Sequence, residues 1–181
     1  MRNTTIEGAT NQLSQTRQQG APMNTFVQKE YWIVEMTEAL TMQLLDLLSD
    51  DTLGHTAAAH NPSLGDLFAG QAAIQTAYIE SFRTFTGDFH NIAPVSIDSG
   101  SVDALRQEFR LLHAGLKTEL GTLSDEDFAS RKIDRDGGFQ IPLTVQVHIY
   151  RESILIFCGK VSVYLRSLGI AFPEQWVNWI G

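Results

Sequence analysis

Two residues four apart near the C-terminus, His148 and Glu152, are the pair best spaced for chemistry. On a helix, positions i and i+4 share one face, so an imidazole and a carboxylate there can clamp one divalent ion. Such a site needs a third donor, and His55 or His60, in the connection ahead of the second helical stretch, are the candidates. A zinc or nickel ion held this way would bind a thiolate or water and lower its pKa, making a nucleophile at neutral pH. The competing reading is a His and a Glu on a helix flank, paired with each other or with Arg151. A third good donor within reach of both separates the two readings.

The other reactive residue types point to structure. Cys158 is the single cysteine, so no internal disulfide is open to it, and its only nearby cation, Lys160, projects from a different side of a helix. It reads as a buried thiol. His113, beside Leu112, reads as a core-boundary residue, and His90 as a solvated one. Asp125, Glu126 and Asp127 suit a helix start, with nothing nearby to bury one carboxyl and raise its pKa for acid-base work. Glycine-rich phosphate loops, zincin motifs, serine nucleophile elbows and paired CxxC motifs are absent from the sequence.

Four helical patterns must position these groups. Thr25 and Gln28 can form a capping box ahead of a stripe at Phe26, Ile33, Met36, Leu40, Leu44 and Leu47. Ser63 and Asp66 repeat the capping relation before Leu64, Leu67, Gln71, Ile74, Tyr78, Phe82 and Phe85, a face with one polar interruption. The third pattern follows Ser101 with Val102, Leu105, Phe109, Leu112, Leu116 and Leu120. The fourth is the longest: Leu143, Val147, Tyr150, Ile154, Phe157, Val161, Tyr164 and Leu168. Pro142 suits its first position, and Gly169, with Pro173 beyond, suits its end.

The connections between these helices, residues 50–62, 87–100 and 121–141, exceed the roughly 2 to 8 residues usual between antiparallel neighbours, so at least one should cross an end of the fold. Ser124 to Asp127 reads as a capped single turn, and Pro94-Val95-Ser96-Ile97 as a short extended piece. No train of strands suggests a sheet. The expected fold class is therefore all-α, a four-helix bundle with long inter-helix connections.

Composition narrows the function. At 181 residues and 43% hydrophobic side chains, the chain suits one globular domain. A net charge of -8 argues against duplex nucleic acid and anionic membranes as partners, which require basic surfaces. Apolar runs are too short to span a bilayer, and the N-terminus lacks a signal pattern, so a cytoplasmic location is expected. Residues 1–23 are polar and read as a loose tail, with Met23 a candidate start; residues 24–181 form the expected domain. Trp176 and Trp179 must fold back or meet a second subunit, and the first is the better candidate for packing back.

Three segments in order carry a family resemblance: Ser63-Leu64-Gly65-Asp66-Leu67-Phe68, the run Leu116 to Phe128 (LKTELGTLSDEDF), and Gly159 to Gly169 (GKVSVYLRSLG). Together, over about residues 26 to 180, they resemble the DinB/YfiT-like superfamily. That resemblance implies a bacterial helical bundle, often a homodimer, commonly holding a divalent metal through three histidines, with some members acting as thiol S-transferases or isomerases. It places the three histidine positions here at Gly70 or Gln71, at Ser153 and at Phe157, none of which is histidine. The usual metal triad is thus expected to be missing, with no cofactor held there. His148 and Glu152 are rotated about 100 degrees from that pair. The helix-interior glycines Gly70 and Gly159 imply either close helix approach or room for a ligand, and a ligand pocket lined by Gly70, Gln71, Tyr150, Ser153 and Phe157 follows. The implied function is a non-catalytic, small-ligand-binding or stress-related homodimer; the alternative is a metal-dependent thiol transferase or isomerase using His148 and Glu152.

Overall fold

The structure, a computed structural model, describes residues 24–174, 176 and 177. The polar tail expected over residues 1–23 lies outside the described residues, as does Trp179. The elements in order are α1 (Thr25–Lys29), α2 (Trp32–Leu45), α3 (Asp50–Leu53), α4 (Leu64–Thr84), β1 (Thr86–Gly87), α5 (Val102–Thr122), α6 (Asp125–Ser130), β2 (Lys132–Arg135), β3 (Phe139–Pro142) and α7 (Leu143–Ser167). The chain is mostly helical with one small sheet.

The four long helices pack in a closed ring, α2 against α5, α5 against α4, α4 against α7, and α7 against α2. Their directions follow from the residues that meet. Lys117 pairs with Glu35 and Arg106 with Asp46, so α5 runs antiparallel to α2. Phe68 meets Phe157 while Tyr78 meets Tyr150, so α4 runs antiparallel to α7. Phe68 also meets Phe109, and Arg83 meets Glu119, so α4 and α5 are parallel. The connection over 87–100 makes this possible by returning along the length of α4. At its end the Ser99 hydroxyl donates to Asp66 Oδ1 (3.0 Å), and Gly65 lies so close to the Ser99 carbonyl that no side chain fits between them.

Several local expectations hold. Ser63 and Ser124 accept from the backbone N–H groups of Asp66 and Asp127, and Ser101 caps α5 through Ala104. All six stripe residues of α5 are buried, and so are seven of the eight on α7, with Leu168 partly buried. Gly169 closes α7 at φ +70°, where a Cβ would be strained. Trp176 folds back, donating from Nε1 to Gln43 Oε1 (2.6 Å) and stacking near Phe172.

Other expectations are corrected. Asn24, not Thr25, caps the first helix, accepting from Val27 N (2.9 Å), while Thr25 is held by Asp125 across the fold. That helix breaks before Trp32, and α2 is rotated from its expected stripe. Met36 is 49% exposed, and the buried face is Val34, Thr37, Glu38, Thr41, Leu44 and Leu45. Pro142 ends β3 and precedes the first turn of α7 instead of occupying it.

A three-stranded sheet, order β1-β2-β3, was not expected. Its strands are two to four residues long, too short to carry an alternating pattern. Ile133 pairs with Ile141 across the antiparallel β2–β3 hairpin, and both are buried. The turn Asp136-Gly137-Gly138 has positive φ throughout (52°, 81° and 138°). Arg135 docks the hairpin on the helices, lying over the Phe89 ring (4.0 Å) and donating to Gln146 Oε1, while Gln146 Nε2 donates to Ser81 Oγ.

Candidate functional site

Between α4 and α7 lies a groove of about 320 Å³, bordered by Gly70, Gln71, Ser153 and Phe157 among others. Four of the five residues expected to line a pocket thus converge on it. Its walls are apolar, Leu67 and Ile74 from α4 and Ile156 and Phe157 from α7, while Asp66 and Lys160 stand at one end. The antiparallel pairing of α4 with α7 brings these positions together, with Phe157 edge-on to Phe68 (4.9 Å) as the floor contact. Gln71 is the unusual member. It is 3% exposed, and its Nε2 has no hydrogen-bond partner among the described residues. Burying an unpaired amide costs about 1 to 3 kcal/mol. Ser153 is already engaged, donating to the Tyr150 carbonyl (2.7 Å).

Neither helix-interior glycine mediates close helix approach. A Cβ added at Gly70 or Gly159 would meet nothing within 4 Å, so the expectation of tight packing there is overturned. Gly70 borders the groove and Gly159 faces solvent. The close approach is at Gly65, which the sequence reading passed over.

Tyr150, the fifth expected pocket residue, turns away from the groove into the ring. Its hydroxyl donates to Glu38 Oε1 (2.8 Å), and Glu38 is itself only 3% exposed. Desolvation pushes the Glu38 carboxyl from an ordinary 4.5 up to about 8, against the opposing pull of the Tyr150 hydrogen bond. Glu38 is therefore protonated at neutral pH. Burial raises both neighbouring phenols, Tyr31 and Tyr150, for the same reason. The α2–α5 ion pairs set His113 level with Glu38 along the ring, and desolvation lowers its imidazole to about 4, so it is neutral too. Tyr31 Oη, Thr41 Oγ1, His113 Nε2 and both side-chain polar atoms of Gln75 are buried without partners among the described residues. Sequence reasoning missed this polar layer because a lone Glu in a helix reads as solvated. The missed signal was that positions 34, 37, 38, 41, 44 and 45 form as regular a stripe as the one chosen.

The metal-competent pair fares differently. His148 and Glu152 are both exposed. His55 bonds through Nε2 to Ser167 Oγ (2.7 Å), and Pro62, near His60, accepts from the Tyr164 hydroxyl. Both contacts are at the far end of α7, and Ser167 is about 28 Å along the helix from His148 at 1.5 Å per residue. The connection ahead of α4 therefore cannot supply the third donor, which corrects the shifted-site alternative. Among the described residues no three His, Cys, Asp or Glu side chains are grouped to hold a metal ion. Gly70, Gln71, Ser153 and Phe157 do not fit a zinc-type ion either, since none offers an imidazole, thiolate or carboxylate. Cys158 is buried, and desolvation pushes its thiol up to about 12, far from a nucleophile's range.

The architecture has counterparts among solved structures. A crystal structure of a DinB-like protein from Bacillus cereus ATCC 10987 superposes with a TM-score of 0.63 at 17% identity, covering 76% of this chain and 89% of that one. The chain has a DinB-like fold. A second DinB-like protein, from Bacillus subtilis, gives a TM-score of 0.60 at 16% identity over 76% of this chain and 90% of its own. No protein-family model and no curated protein matches the sequence. Among the described residues, no helix is long and apolar enough to cross a membrane.

Proposed function

We propose that this DinB-like chain is a four-helix bundle that binds a small ligand in the α4–α7 groove without a metal ion, as a non-catalytic homodimer. The observation that carries the reading is Gln71: a buried amide, its Nε2 unpartnered among the described residues, bordering a groove walled by Leu67, Ile74, Ile156 and Phe157. Such a site, with apolar walls and a few polar groups at its border, has the chemistry of a small-molecule pocket. The dimer reading draws on Leu155 and Val163, apolar side chains exposed on the outer side of α7.

The test combines metal content and ligand binding. Untagged protein analysed by mass spectrometry should carry no stoichiometric metal, and added Zn²⁺, Ni²⁺ or Mn²⁺ should not bind above background. A small-molecule library followed by amide chemical shifts should give hits that cluster at residues 66–74 and 153–160. Gly70→Phe, introduced where nothing lies within 4 Å of a new Cβ, should block them by filling the groove. Tight metal binding lost in His148→Ala would overturn the metal-free reading. Hits that ignore Gly70→Phe would overturn the groove.

A further inference from the structure

We infer that a second copy of this chain docks on the outer face of α7, its own α7 running antiparallel, with the two-fold axis at Gly159. This rests on the homodimer reading and adds the face, the axis and the register.

Gly159 has no packing task inside its own chain. It lies in the interior of α7, where glycine is less favourable than alanine, yet it is exposed and a Cβ there would meet nothing within 4 Å. What so small a residue permits is close approach from outside. A residue no larger than alanine at a crossing lets two helices reach the short end of the roughly 8 to 10 Å interaxial range.

The residues around Gly159 are arranged symmetrically. A step of four and then three leads to Leu155 and Glu152 on one side, and to Val163 and Arg166 on the other. All four are exposed, Leu155 at 45% and Val163 at 57%, and all lie within about 40 degrees of Gly159 around the helix. In a two-fold contact, residue i of one copy meets residue j of the other, and j meets i. Two α7 helices crossing antiparallel at Gly159 therefore bring Leu155 to Val163 of the second copy and Glu152 to Arg166 of the second copy, each pairing made twice. The ion pairs fall about 10 Å from the axis, outside the apolar pairs, which gives an apolar centre and a charged rim. Arg166 also lies over the Phe172 ring at 5.9 Å and is still exposed to a neighbour.

Charge identifies the occupant. The stripe carries an anion at one end and a cation at the other, so a partner surface of one sign matches one end and repels the other. A second copy laid antiparallel matches both ends, whereas a parallel one would set Glu152 against Glu152 and Arg166 against Arg166. One neighbouring register also pairs opposite charges: centred on Ile156, it sets Glu152 against Lys160 of the second copy. It turns Leu155 about 100 degrees away from the contact and gives Gly159 no role.

Sedimentation equilibrium on the full chain measures the dimer, and disulfide trapping locates its axis. Glu152→Arg and Arg166→Glu are exposed changes that leave the fold intact, checked by circular dichroism. Each turns two attractions into two repulsions and should weaken the dimer about tenfold or more, and the double variant should recover to within about threefold of wild type. Gly159→Cys should cross-link to itself under mild oxidation, because the axis sets the two thiols together, whereas wild type, with Cys158 buried, should not. Rescue of Glu152→Arg by Lys160→Glu instead of Arg166→Glu, with self-cross-linking at Ile156→Cys and not at Gly159→Cys, would overturn the register. A wild-type dimer that ignores both charge reversals and does not cross-link at Gly159→Cys would overturn the α7 face while leaving the homodimer. A monomer at all micromolar concentrations would overturn both.

Discussion

Replacing Glu38 with glutamine should stabilise the protein, by an amount that depends on pH. The folded carboxyl is raised by desolvation to about 8, whereas in the unfolded chain it titrates near 4.5. For a raised pKa the sign is fixed: stability is full below pH 4.5 and is lost as pH climbs towards 8, because the unfolded state ionises first. At pH 7 the loss is about 3 kcal/mol, at about 1.36 kcal/mol per pH unit over the interval from 4.5. Glutamine cannot ionise, and it keeps an oxygen for the Tyr150 hydroxyl. Its added N–H needs a partner, which the unpartnered Tyr31 and Thr41 hydroxyls offer; imperfect geometry there would cost about 1 kcal/mol. The net expectation for Glu38→Gln is a gain of about 2 kcal/mol at pH 7, larger at pH 8 and gone by pH 4.5. Urea unfolding of both proteins across that range, with m-values checked for equality, measures it. Tyr150→Phe serves as the control, since losing the hydrogen bond that lowers the Glu38 pKa should carry the decline on to higher pH. Stability curves for wild type and Glu38→Gln that run parallel from pH 5 to pH 8 would refute the reasoning, since Glu38 would then titrate alike in both states.

His113 should act in the opposite direction: its imidazole is lowered by burial to about 4, so stability is full above 6.5 and lost as pH falls to 4. His113→Leu should remove an acid-limb loss of about 3 kcal/mol, seen as a higher urea midpoint at pH 4.5 than wild type and little change at pH 8. The glycines make a paired test by thermal melting. Gly65→Ala drives a methyl into the Ser99 carbonyl and should cost about 2 kcal/mol or more, whereas Gly159→Ala, in open space on α7, should stabilise by about 1 kcal/mol.

How far the fold was legible varied with the helix. On α5 and α7 the apolar residues at helical spacing form the buried face, so periodicity located the core even though Leu111, Leu155, Ile156 and Val163 lie exposed outside those stripes. On α2 the core face carries Thr37, Glu38 and Thr41, and a method that follows apolar residues rotates such a helix toward Met36. The sheet left little trace because its strands are too short for a pattern, although Asp136-Gly137 is a hairpin signal that could have been read. Four groove residues were reached through family resemblance. Tyr150 was expected in the groove, yet three residues before Ser153 it is rotated by about 300 degrees to the neighbouring side of the stripe, where its hydroxyl reaches Glu38 of α2. His148 and Glu152 had the right spacing for a metal, but spacing within a helix says nothing about which way that helix turns.

The ring order has a consequence for how the chain is made. Consecutive long helices are not all neighbours: α2 and α4 sit across the ring from each other, as do α5 and α7, and α2 meets α7 through contacts such as Glu38 to Tyr150, 112 positions apart. When α2 and α4 have left a ribosome and α5 has not, they therefore cannot cover each other's apolar faces. The ring closes only when α7 has emerged, so synthesis should leave the sides of α2 and α4 that face α7 open until then, and a nascent chain arrested before residue 143 would be a substrate for chaperones.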